Sequence, residues 1–158
     1  MGRTILAVAA TAAACAVVLG GAAASGGDGT GARSSALSDR AFFAVLKGGN
    51  ETAGGDRNGK GSASVTFDGR RLCWGITIAN LSQPVGAHIH KARRGQDGSI
   101  VVPLQQPTTG DPGASSGCET VSASLARAIR RRPGNYYVNV HTDEFGAGAI
   151  RGQLFGED

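Results

Sequence analysis

The sequence predicts a mostly antiparallel all-β domain, a sandwich or barrel carrying one short helix, and three observations predict it. From residue 41 onward, short apolar runs alternate with glycine-bearing turns, the texture of an antiparallel sheet. In one run Leu72, Trp74, Ile76 and Ile78 recur at every second position, so an extended chain places all four on one face. Only one stretch changes period: Val121, Leu125 and Ile129 recur at intervals of four, the spacing of a helix face.

The segments before the domain read differently. Residues 1–24 have the form of a secretory signal: Arg3, an apolar run over 5–19, and the small residues Ala22, Ala23 and Ala24 before Ser25. The run is shorter than the roughly 20 apolar residues needed to span a bilayer, so cleavage is favoured over a membrane anchor and no transmembrane segment is expected afterwards. Lipid attachment at Cys15 is the weaker alternative, because Ala16, Val17, Val18 and Leu19 continue the apolar run past it. Residues 25–40 are Gly, Ser, Thr and Ala with scattered charges. Such a composition buries too little apolar area to offset ordering entropy, which predicts a flexible leader. The domain is expected over 41–154, with a short tail at 155–158.

Within the domain the first strand is expected at 41–47, followed by a polar turn and a loose glycine-rich loop through 59. A second strand over 61–67 ends at Asp68-Gly69, a strong hairpin signal, and the alternating strand 72–78 follows. A strand at 86–91 carries His88 and His90 on one face, with Ile89 on the other. Another is expected at 100–104. Residues 105–117 are polar and rich in turn formers and read as a long loop ending at Cys118. The helix follows at 122–132, capped by Ser122 or Thr120 and stopped by Pro133-Gly134. A terminal hairpin over 136–142 and 149–154 completes the chain.

Removing the signal leaves two cysteines, Cys73 and Cys118. An exported chain favours their pairing, and a loop of that length is worth roughly 4 kcal/mol in the chain-entropy model. Because Cys73 lies on the face opposite Trp74, the bridge is expected either to fasten a covering loop or to lie at a two-sided sheet edge. The formal net charge of +4 is mild. Lys91, Arg93 and Arg94 form one basic cluster and Arg127, Arg130, Arg131 and Arg132 another, so adhesion to a polyanion or the cell envelope is one open reading. Neither cluster is interleaved with aromatics or set in a nucleic-acid-binding motif, so no nucleic-acid partner is expected.

Three segments together carry a resemblance: Ala87-His88-Ile89-His90 with its following Gly-x-x-Gly turn, Tyr137-Val138-Asn139-Val140-His141-Thr142, and Gly148-Ala149-Ile150-Arg151-Gly152-Gln153-Leu154. The chain resembles the CHRD (chordin-type) domain family. Asn50-Glu51 matches the Asn-Glu element near the start of that domain, with Thr52 and Ala53 where prolines often follow. Ala149 stands where the closing motif usually has an acid. The resemblance implies an antiparallel β-sandwich or barrel at the cell exterior, secreted or surface-held, and no established catalytic reaction. It implies a non-catalytic binding or structural module whose partner is an extracellular protein or envelope component. The His-x-His strand is also similar to the copper strand of copper-zinc superoxide dismutases, so the sandwich expected is immunoglobulin-like or dismutase-like.

The histidines admit two readings. His88, His90 and His141 could converge as ligands of copper or zinc, with Asp143, Glu144 or Glu51 completing the shell and a redox role possible for copper. Alternatively they belong to a structural polar network with Glu51, Asn139, Thr142, Arg151 and Gln153. Glu51 and Arg151 are expected to join the two ends of the domain through a bidentate salt bridge. Hydrolase chemistry finds no support: there is no Gly-x-Ser-x-Gly elbow or phosphate-binding loop, and Asp97, Asp143 and Glu144 sit in turns where acids are common. No catalytic residue is assigned.

Overall fold

The computed structural model describes residues 40–156; the signal-like segment, Cys15 and residues 25–39 of the leader lie outside the described residues. Nine strands join one sheet: β1 (Phe42–Lys47), β2 (Lys60–Asp68), β3 (Arg71–Ala79), β4 (Pro84–Lys91), β5 (Ser99–Leu104), β6 (Gly113–Thr120), β7 (Tyr136–Thr142), β8 (Ile150–Gln153) and β9 (Phe155–Gly156). Every pairing is antiparallel, and the strand order β5-β4-β7-β8-β1-β2-β3-β6 curls into a nearly closed, sandwich-like barrel, with β9 adding to β1. The one α-helix among the described residues, α1 (Ala123–Arg131), buries Ala126 and Ile129 against the core. Ser122 caps it by accepting the Leu125 backbone N–H at 3.2 Å.

Alternation decides what faces inward. Leu72, Trp74, Ile76 and Ile78 of β3 join Phe42, Leu46, Val65 and Phe67 in the core, as the period-two pattern requires. The β2–β3 hairpin closes on the Asp68 and Arg71 pair, leaving Gly69 and Arg70 as its two loop residues. Gly69 takes φ 55°, a conformation that a residue with a Cβ seldom adopts.

One strand differs from the sequence expectations. The polar stretch after residue 105 is not loop to its end: Gly113–Thr120 forms the edge strand β6, paired along β3. Its residues are mostly exposed, so an edge position asks for no apolar alternation and the strand leaves no hydrophobic signature. The Cys73–Cys118 disulfide joins directly opposed residues of β3 and β6, so of its two expected placements it takes the sheet edge and not the covering loop. β7 is also unusual, being buried along nearly its whole length. Val138 and Val140 face the core, while Tyr137, Asn139 and His141 face the outer side, where loops cover them.

Candidate metal centre

Strand register assembles the polar residues on the outer face of β4, β7 and β8. His88 opposes Asn139, which opposes Arg151; one row along, His90 opposes Tyr137, which opposes Gln153. His141 of β7 opposes Gly86 of β4. Period-two geometry therefore collects all three histidines on one face while Ala87, Ile89, Val138 and Val140 enter the core.

The three rings lie together. Centroids are 5.0 Å apart for His88 and His141, 5.6 Å for His88 and His90, and 6.1 Å for His90 and His141. One ring nitrogen from each lies within 4.8 Å of the other two. Two rings are held by backbone carbonyls: His90 Nδ1 is 2.9 Å from the Gly98 oxygen and His141 Nδ1 is 3.0 Å from the Gly146 oxygen. A carbonyl oxygen only accepts, so each Nδ1 carries a proton, and in the neutral form of either ring Nε2 keeps its lone pair. Those two Nε2 atoms, and His88 Nδ1, are buried without a hydrogen-bond partner.

Burial sets the protonation state. It holds His88 below the ordinary histidine range, and the neighbouring His141 and His90 push it the same way. Burial likewise lowers His90, against the Gly98 carbonyl, which favours the charged ring. At neutral pH both rings are neutral, the state in which imidazole binds a metal.

A second cluster borders the histidines. Arg151 is buried, and its Nε donates to the Asn50 carbonyl at 2.7 Å and lies 3.7 Å from Glu51 Oε2. Its Nη1 meets Asp97 Oδ1 at 2.8 Å. The expected bidentate Glu51–Arg151 bridge thus gives way to a guanidinium divided between two acids, because the Asn50 carbonyl already occupies Nε. Asp97 also accepts from the Thr52 hydroxyl, and that bond, with Arg151, holds its carboxyl below the usual range. Tyr137 stacks flat on His90 with centroids 4.8 Å apart, the Arg151 guanidinium lies 4.9 Å from the same ring, and the Tyr137 hydroxyl receives the Gly98 N–H. The β4–β5 turn that orients His90 is therefore clamped at Gln96, Asp97 and Gly98.

The other predicted polar residues fall around this frame. Gln153 Nε2 donates to the Ala92 and Gly134 carbonyls. Thr142 accepts the Phe145 N–H and closes the β7–β8 turn. Asn139 is buried beside Glu51 under Gly148, where a Cβ would come 2.7 Å from Glu51 Oε2 and 2.9 Å from Asn139 Nδ2. Glu51, Asp143 and Glu144 do not join the histidine group. Asp97, read from the sequence as an ordinary turn acid, and Tyr137, given no role there, both belong to this frame; the one signal for Tyr137 was its place two residues from Asn139 on the face shared with His141.

Burial pushes Glu51 up to about 7, even though Arg151 pulls it down. A carboxyl raised from 4.5 to about 7 stabilises the fold below pH 4.5, and that contribution is lost as pH rises through 7. The expected result is that Glu51→Gln gains stability relative to the parent between these limits, by on the order of 3 kcal/mol at most. Urea unfolding of both proteins across that pH range measures it; parallel profiles would contradict it.

The CHRD domain matches residues 42–154 of the chain, from the start of β1 to just past β8. No curated protein matches it. No helix among the described residues is long and apolar enough to cross a membrane.

Proposed function

The chain belongs to the CHRD domain family, and from that premise we propose that it is a binding module of the cell exterior whose ligand is a transition-metal ion, copper or zinc, held by His88, His90 and His141. The observation that carries this reading is the set of three buried, unpartnered ring nitrogens on neighbouring rings. A structural polar layer satisfies its buried nitrogens, since an orphaned polar atom costs about 1–3 kcal/mol. Here two rings spend their Nδ1–H groups on carbonyls and keep their lone pairs facing the cluster, the arrangement by which proteins fix histidine ligands. Three neutral imidazoles suit copper and zinc alike. The Cys73–Cys118 disulfide supports a location in an oxidising space.

Competition titration with copper and zinc tests the reading. One equivalent should bind, and His90→Ala should weaken binding by at least about a hundredfold, some 2.7 kcal/mol. Affinity should hold at pH 6.5 and fall only at more acidic pH, because burial lowers His88 and His90 and protons compete for the ligands only below those lowered values. Equal affinities for the parent and His90→Ala would overturn the assignment.

A further inference from the structure

We propose that the tri-histidine centre keeps one coordination position open beside Gly86 for a small exogenous anion, an inference that rests on the metal-binding reading above. Burial around the cluster is one-sided. His90 is 8% exposed and forms the floor, whereas His88 and His141 are half-buried and flank Gly86. A Cβ on Gly86 would lie 3.2 Å from His88 Cε1, 3.7 Å from His141 Cδ2 and 3.9 Å from His141 Cβ. Gly86 does not adopt a positive φ, so its backbone has no need of glycine. What the missing side chain provides is room between the two outer rings.

The charge balance points to an anion. Imidazole binds a metal as an uncharged donor, and among the described residues no carboxylate joins the group. Asp97 and Glu51 are committed elsewhere: Asp97 to Arg151 and Thr52, and Glu51 to its place beside Arg151. A divalent ion here would retain its full charge in a half-buried setting, with the Arg151 guanidinium as a further positive neighbour. Electrostatics then favour a fourth ligand that is small and negative, such as hydroxide, azide or one oxygen of a carboxylate.

The test is a titration of the copper(II)-loaded full chain with sodium azide, followed by the azide-to-copper charge-transfer band and by electron paramagnetic resonance. A saturable band at one azide per copper is expected. Gly86→Leu should retain one copper while binding azide at least about tenfold more weakly. Copper bound at one equivalent with spectra indifferent to azide would overturn the open position alone, and so would azide that strips the copper. Failure to take up copper would overturn the metal-binding reading as well. Should Gly86→Leu not fold, the titration of the parent protein decides the proposal by itself.

Discussion

Replacing Arg151 by alanine should destabilise the domain by about 3–5 kcal/mol, the range for stripping one partner from a buried charge cluster. The side chain is 5% exposed and ties together parts of the chain remote in sequence: Asn50 and Glu51 after β1, the β4–β5 turn at Gln96 and Asp97, and the Tyr137 ring. Its loss would remove the cation that draws the Glu51 carboxyl down, so the cost should be largest above pH 7, where Glu51, 4% exposed, is ionised. The effect should reach the histidines as well. Without Arg151 the turn carrying Gly98 loses two of its anchors, and Gly98 is the residue whose carbonyl fixes the His90 tautomer. Residues that orient a ligand from behind typically change metal affinity by about 10- to 100-fold, so Arg151→Ala should weaken metal binding in that range. Denaturant unfolding and metal titration of the same variant measure both effects. A stability loss under about 1 kcal/mol would mean that the cluster behaves as an exposed ion pair.

Removing the disulfide is the second large perturbation. Cys73→Ala combined with Cys118→Ala should cost about 4 kcal/mol, the chain-entropy value for a loop of this length. The topology explains why the bridge is placed here. β6 is a sheet edge with little apolar burial, so backbone pairing with β3 and the cystine hold it, and the enclosed segment contains β4 and β5. Opening the bridge therefore frees the unfolded chain across the segment that bears His88 and His90. Chemical unfolding with and without reductant gives an independent measure. A difference below about 1 kcal/mol between oxidised and reduced protein would contradict this role.

Legibility in the sequence followed burial. β3 declared itself because one of its faces is wholly in the core and the other is not, so period two survives in the residue types. The helix showed its cap at Ser122 and its stop at Pro133, both local signals. β6 was invisible because backbone pairing and a single cystine hold it, and its exposed side chains obey no apolar rule. The histidines were legible as a set on two strands, but their convergence depends on β4 and β7 being neighbours, a fact of strand order that no local pattern encodes. The contact of Asp97 with Arg151 spans a sequence separation of 54. A turn acid looks the same in sequence whether it faces water or a buried guanidinium, so this partner could not be read in advance. The same reasoning explains the Glu51–Arg151 expectation: the two residues do come together, but the Asn50 carbonyl competes for the guanidinium, and backbone acceptors leave no trace in residue identity.

X-ray absorption fine structure of the zinc-loaded protein tests the central claim most directly, because it counts the ligands and identifies their atoms. Three imidazole nitrogens at about 2.0 Å, with a further light atom completing a four-coordinate shell, is the result expected. A shell containing sulfur, or one dominated by oxygen with fewer than two imidazoles, would contradict a tri-histidine centre.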